Sequence, residues 1–459
     1  MDEQSSDETQ DEKPDERPHE NPEEKTGLTL LPSGKSTEFG DKFSKYITKQ
    51  KAMKFAKKYW VPILLLVIFI MAYNMRLSGI VMPDGTYRWP YLRNIDSYAL
   101  TREMQMILDN NWVMPAVDTL KLAPEGEIKN TQLYPYQYLG ALSYSFLKLF
   151  DPGLQFWESM IYLPAILGAL MVIPAYYIGK LLYDKKAGVI AAFLMVFVPA
   201  ITARTLGGDP DTDAISMLLT LVSMAAFLVA YKSIGNKLTK KTVIYSILAG
   251  IVLAIYAYTW AGAWHIPVLI LGFIILKIVL DFVMTKGSIS ERARHTVKAN
   301  KLVVYSFVII LIAYSALIAP WFKLGFVVDT FTTPFQMLGF YGGGEFKTEE
   351  GRDVPNVYVS VAELQSGGSF SDVAQRVGTE FFILTFIFAL PYLVLSYITT
   401  KRHLDTVLLI ILWTVGPLIA AMAAIRFSSI LAPPVVIGTS IILAKAWRLA
   451  LGEDKAILE

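Results

Sequence analysis

Ten apolar runs recur along this chain, most of them near the length a helix needs to cross a bilayer. They lie at Trp60–Ala72, Glu158–Leu182, Ala187–Ala203, Ala214–Tyr231, Thr242–Tyr258, Ala263–Val283, Leu302–Lys323, Glu380–Tyr397, Thr406–Ala424 and Phe427–Ala446. A spanning helix takes about 20 mainly apolar residues, because hydrocarbon offers no partner to an open backbone N–H or C=O. The composition agrees: 54% of the residues are hydrophobic and only 18% charged, which is unusual in a soluble domain. The expected fold class is an all-α polytopic membrane protein. A shorter aromatic-rich run, Tyr134–Phe150, reads as a re-entrant or interfacial segment.

The loops between these runs sort by charge. "KAMKFAKK", "GKLLYDKKAG", "YKSIGNKLTKK", "KGSISERARHTVKANK", "TTKRH" and "KAWRLALGEDK" carry most of the Lys and Arg. In a strict alternation of ten spans they all fall on one side, the cytoplasmic one. The other side receives a long loop from Asn74 to Gln155, the turn around Asp211, a second long loop from Gly325 to Gly378, and the turn "AAIRFSSILAPP". Charged residues far apart in sequence are thereby gathered at one membrane face, as a site requires.

Residues 1–57 read as a disordered cytoplasmic tail, acidic and almost free of apolar residues at first and basic before the first span. The net charge of +2 gives no reason to expect a nucleic-acid partner. The absence of cysteine excludes disulfides, thiolate metal sites and a cysteine nucleophile.

The chemistry is concentrated in "RTLGGDPDTDAIS", where Asp209, Asp211 and Asp213 stand directly before an apolar run. Asp96, Asp211, Asp213 and Glu363 come from three outer loops and make an oxygen cage suited to a hard cation such as Mg2+ or Mn2+. The simpler reading is that Asp211 or Thr212 caps the helix beginning at Ala214, which accounts for one acid and not for three. Arg426 interrupts an apolar stretch, and its planar fork suits a phosphate. Arg204, seven residues before Asp211, either pairs with one of the acids or takes part in catalysis. Two classes fit: an enzyme that takes a group from a lipid phosphate, and a transporter with a carboxylate relay. Acids gathered at one face, with no internal repeat, favour the enzyme.

"NIDSYA", "RTLGGDPDTDAIS", "SVAE" and "IRFS", in this order, resemble the catalytic subunit of oligosaccharyltransferases, a family of GT-C membrane glycosyltransferases; "TWAGAW" resembles a further family segment. The likeness runs from Trp60 to the C-terminus. It implies a GT-C transmembrane domain of about 10–13 helices with long external loops. It also implies transfer of a glycan from a dolichol- or polyprenol-(pyro)phosphate carrier to the side-chain amide of Asn in an acceptor polypeptide. By the same resemblance Asp96 is a metal ligand that engages the acceptor amide, Asp211 and Asp213 are metal ligands, and Glu363 reaches both metal and acceptor. Arg426 holds the carrier phosphate, Arg204 lies by the acids, and Arg376 contacts the acceptor. The implied cofactor is Mn2+ or Mg2+, and the implied setting is the plasma membrane of an archaeon or bacterium, with the site on the external face.

One family feature is not found. Members carry a soluble C-terminal domain with a "WWDYG" signature that reads the acceptor sequence, and no tryptophan pair occurs here. Three readings stay open: the sequence is a piece of a longer chain, a separate subunit supplies the recognition, or this member dispenses with it. The competing reading is a GT-C enzyme that moves a single sugar from a lipid monophosphate to Ser/Thr or to a growing glycan. The glycines of "YGGGEF" and "SGGS" read as hinges of a closing loop, or simply as flexible chain.

Overall fold

A computed structural model describes residues 49–78, 80–82, 84–87, 92–129, 134–340, 364–401 and 403–453. Most of the segment read as a tail, together with Glu363 and the rest of "SVAE", lies outside these residues. The chain divides into two compact units, Met1–Trp60 and Val61–Glu459; all contacts below belong to the second.

The elements in chain order begin with α1 (Lys49–Leu77), α2 (Ile95–Asp109), the two-residue strands β1 (Val117–Asp118) and β2 (Glu127–Ile128), and α3 (Pro135–Leu147). Next come α4 (Phe156–Leu170), α5 (Val172–Leu182), α6 (Lys185–Met195), α7 (Pro199–Thr202), α8 (Thr212–Lys232), α9 (Lys240–Thr259) and α10 (His265–Met284). The chain continues through α11 (Ile289–Phe322), α12 (Gly325–Phe340), α13 (Phe370–Val377), the span α14 (Thr379–Thr400), α15 (Leu404–Ala423) and α16 (Ser428–Ala450). β1 and β2 pair antiparallel, with Val117 opposite Ile128.

Among the described residues, nine helices are long and apolar enough to cross a membrane. The polytopic reading is correct, with one span altered. Ala187–Ala203 is not a single helix: α6 stops at Met195 and α7 begins at Pro199. Proline has no N–H for the helix ladder and its ring clashes with the preceding turn, so an apolar run that hydropathy reads as continuous is broken there. The helix at the start of the chain also begins at Lys49, inside the stretch read as tail, where Lys, Gln, Ala and Met favour helix. Tyr134–Phe150 forms the 13-residue α3, too short to cross. Among the described residues, the first long loop carries the helices α2 and α3 and the second carries α12 and α13.

Local chemistry places the helix starts. Asp184, Asp211, Thr239, Ser288 and Ser369 each accept a hydrogen bond from a first-turn N–H as N-caps of α6, α8, α9, α11 and α13, each worth about 1 kcal/mol. Buried hydroxyls join helices where lipid supplies no hydrophobic drive: Thr220 to Tyr256 at 2.6 Å, and Ser246 to Ser306 at 2.7 Å.

Three spans are 72% buried, namely Phe156–Leu182, α8 and Ile425–Ala450, against 22–44% for the others. These three therefore form the centre of the bundle and the rest face lipid. α8 and Ile425–Ala450 are also the spans whose first residues include Asp213 and Arg426. The opposite end of the bundle is tied by Lys277 to Asp405 at 3.1 Å and by an Arg448–Asp184 pair.

Candidate functional site

The acid segment is held from three directions. Gly207 N donates to Arg76 O at 2.9 Å, Gly208 N to Ile161 O at 3.0 Å, and Arg93 N to Gly208 O at 2.8 Å. The side chain of Arg76, wholly buried at the end of α1, donates from Nε to Thr205 Oγ1 at 2.8 Å and from Nη1 to Ala72 O at 3.1 Å. Asp209 takes the side-chain amide of Asn94 and the hydroxyl of Ser97, the latter at 2.7 Å. The first long loop is thereby fastened to the acids at the N-terminus of α2, whose exposed first turn carries Asp96.

Asp211 is the N-cap of α8, accepting from Thr212 N at 2.5 Å, so the capping reading applies to this acid. Asp213, in the first turn, is 8% exposed and binds two arginines through separate oxygens: Arg204 at 2.6 Å and Arg426 at 3.1 Å. The salt-bridge alternative for Arg204 is thus realised. Burial raises the Asp211 carboxyl to about 6, and the charges of Asp213 and Asp209 push the same way. Burial raises Asp209 too, against the Ser97 hydrogen bond and the charge of Arg93. Burial, more than the neighbouring charges, sets the state of these two acids.

Beside Asp213 and Arg426 lies a small pocket lined by Ser216, Thr220, Tyr256 and Trp260 among others. It runs down the α8 face bearing Asp213, Ser216 and Thr220, one helical turn or so apart. The hydroxyl of Ser216 is buried without a partner. Trp260, from "TWAGAW", stacks on Tyr256 with centroids 6.0 Å apart.

Residues 63–451 match the family described as oligosaccharyl transferase STT3, N-terminal. The chain belongs to the STT3 family. Among curated relatives, the dolichyl-phosphooligosaccharide-protein glycotransferase of Methanococcus voltae is 22% identical, covering 76% of this chain and 41% of that protein. The enzyme of the same name from Methanocaldococcus jannaschii is 21% identical, covering 88% and 53%. The STT3 chain thus spans about half or less of the length of these relatives. In fold it resembles the archaeal oligosaccharyltransferase AglB of Archaeoglobus fulgidus, solved with an inhibitory peptide and a dolichol-phosphate, with a TM-score of 0.59 at 18% identity over 87% of this chain and 53% of that one. The same archaeal enzyme solved with Zn and sulfate gives a TM-score of 0.53.

Within this STT3 chain the sequence-derived residues are partly assembled. Asp211, Asp213, Arg204 and Arg426 converge, and Asp96 adjoins Asn94 and Ser97, which bind Asp209. Arg376 donates to the Gly367 carbonyl at 2.5 Å. Glu363 lies outside the described residues, but Gln365 accepts from Ile425 N at 3.0 Å and Gly367 N donates to Met422 O at 3.0 Å. The second long loop therefore returns to the turn that bears Arg426. The glycines of "SGGS" anchor that return: a Cβ on Gly367 would lie 1.8 Å from Ala421 O. Sequence reasoning missed Arg76, Asn94, Ser97 and Ser216. A basic residue at the outer end of the first span was the one available signal, for Arg76; the others acquire meaning only from their neighbours in space.

Proposed function

We propose that this chain is the membrane catalytic part of an oligosaccharyltransferase. It transfers a glycan from a dolichol- or polyprenol-(pyro)phosphate carrier to the side-chain amide of Asn in an acceptor polypeptide, at the external face of an archaeal or bacterial plasma membrane. The supporting observation is the meeting of Asp209, Asp211 and Asp213 with Arg204 and Arg426 beside the pocket, where the second long loop returns. Arg426 is the candidate to bind the carrier phosphate, and Ser216, whose buried hydroxyl has no partner, the candidate to donate to one of its oxygens.

Among the described residues, no three His, Asp or Glu side chains stand close enough to form a ready metal cage. The donors nonetheless suit a hard cation, being carboxylates, and a bound cation would offset the burial that raises Asp211 and Asp209. Asp96, Asp211, Asp213 and Glu363 would hold Mn2+ or Mg2+, which would stabilise charge on the departing phosphate. Asp96 and Glu363 are the candidates to accept the two N–H bonds of the acceptor amide, weakening its conjugation and aiming its nitrogen. A separate subunit is the candidate reader of the acceptor sequence.

The test is transfer of a lipid-linked glycan to a fluorescent Asn-x-Thr peptide, with Mn2+ or with EDTA, for the wild type and Asp211→Ala; an Asn-x-Ala peptide probes sequence reading. Transfer that requires Mn2+ and is lost in Asp211→Ala supports the reading. A wild-type chain that binds neither Mn2+ nor the lipid-linked glycan would sink it.

A further inference from the structure

α11 is 34 residues long, roughly 50 Å at the helical rise, against about 30 Å of hydrocarbon to cross. Its apolar part begins at Leu302, so residues 289–301 stand beyond the hydrocarbon. The reversals of chain through α8, α9 and α10 put this stretch at the end of the bundle away from Asp213.

One stripe of the stretch is fixed to α10. Asn300 donates from Nδ2 to Asp281 at 2.7 Å, and Arg292 donates from Nε to Phe282 O at 2.9 Å with its guanidinium over the Phe282 ring. Thr296, buried between them, completes a row with a step of four residues, which is one face of a helix. The basic side chains lie on the opposite face. Arg294, Lys298 and Lys301 are exposed, and none makes an ion pair or a side-chain hydrogen bond among the described residues. The nearby acids are engaged elsewhere: Glu291 accepts from Ser288 N at 2.8 Å and from Ser288 Oγ at 2.9 Å, and Asp281 holds Asn300.

Continued along α11, this basic face becomes the one that meets lipid. Positions 294, 298, 301, 305, 308 and 312 follow the alternating steps of four and three residues that trace a single helical stripe. Tyr305, Val308 and Ile312 are 54%, 44% and 63% exposed on a span that faces lipid. Orienting a span requires basic residues near its end, but on no particular face. Here all three share the lipid-facing stripe, with a phenol at the boundary. We propose that this stripe binds an anionic lipid. Arg294, Lys298 and Lys301 hold the charged headgroup, Tyr305 lies at headgroup level, and Val308 and Ile312 pack on the acyl chains.

The chain has no cysteine, so Val297→Cys, at an exposed position between Arg294 and Lys298, accepts a single fluorophore. The full chain is reconstituted in phosphatidylcholine vesicles containing a trace of nitroxide-labelled phosphatidylglycerol or nitroxide-labelled phosphatidylcholine, and quenching is compared. Each basic side chain at an anionic surface changes partitioning by a factor of about five. Quenching by the phosphatidylglycerol probe is expected to be several-fold stronger, and the excess should shrink as salt is raised. Arg294→Gln, Lys298→Gln and Lys301→Gln together should abolish the excess at an unchanged unfolding midpoint, because these side chains bind nothing in the protein. Arg294→Lys, Lys298→Arg and Lys301→Arg together should keep it. A fluorophore at Ile398→Cys, an exposed position on α14, should not respond to the glutamine triple. Equal quenching by the two probes overturns the inference, as does an excess that survives the glutamine triple. An equal loss at Ile398 also overturns it, since net charge alone would then be acting.

Discussion

The backbone nitrogen of Ile425 donates to the carbonyl of Gln365 at 3.0 Å. Gln365 comes two residues after Glu363, and Ile425 comes one before Arg426. A single main-chain bond therefore ties the end of the second long loop to the turn that presents an arginine to Asp213. Sequence change in the loop leaves such a bond intact; distortion of the turn does not.

Gly367 makes this junction sensitive. Its backbone packs against the end of α15, where an added Cβ would meet the Ala421 carbonyl at 1.8 Å. Gly367→Ala must push the strands of chain apart, and overpacking of this kind costs about 1–3 kcal/mol. The expected outcome is a lower unfolding midpoint and a clear loss of glycan transfer. Wild-type turnover in this variant would show that the loop's return does not matter to the reaction.

Gly168 tests the other anchor. A Cβ there would lie 2.3 Å from Arg76 Nε, and so would displace the guanidinium that holds Thr205. Gly168→Ala is expected to destabilise the chain by about 1–3 kcal/mol and to weaken Mn2+ binding, because Thr205 lies on the segment that carries the acids. Calorimetry with and without Mn2+ checks both. A variant that melts lower but binds Mn2+ as before would separate fold support from site support.

Arg204 and Asp213 are expected to behave as a couple. Removing one partner of a largely buried pair strands the other charge, at about 3–5 kcal/mol for full burial and less here, since the Arg204 side chain is 22% exposed. Arg204→Met and Asp213→Asn should each lower the unfolding midpoint, and the double variant should lose less than the sum. Additive losses in that cycle would mean that the 2.6 Å pair is not a stabilising unit.

The acids predict opposite responses to pH with and without a cation. The Asp211 carboxyl sits at about 6 in the folded chain against an ordinary 3.8. Below the lower value it is protonated in both states and costs nothing. Between the two values only the unfolded chain ionises, so stability falls as pH rises, and above about 6 the full cost is present. With EDTA, the wild type should therefore gain more stability than Asp211→Asn on going from pH 7 to 5. A cation needs the ionised acid, so Mn2+ affinity should fall as pH drops below 6, by roughly tenfold per unit for one proton. Equal Mn2+ affinity at both pH values would remove Asp211 from the ligand set.

The fold class was legible because apolar length and loop charge are properties of the chain alone. The break in Ala187–Ala203 was missed because hydropathy averages over Pro199 and weighs no hydrogen bonds. Asp211, Asp213, Arg204 and Arg426 stood out because charges beside apolar runs are costly, and the structure brings these four together. Arg376 donates to the Gly367 carbonyl, a contact that no residue pattern announces.

Asp213 has two oxygens and uses each on an arginine. Arg426 and a divalent cation would draw on the same carboxylate charge and repel one another beside it, so cation loading and the Asp213–Arg426 pair oppose each other. What loosens that pair readies Arg426 for an anion, and by reciprocity a captured anion makes Asp213 more receptive to the cation. The empty enzyme would then be self-quenched, and its two charged guests would load as an interlock in which each improves the foothold of the other. Affinity for the lipid-linked glycan should accordingly rise when Mn2+ is supplied, and that gain should vanish in Asp213→Asn.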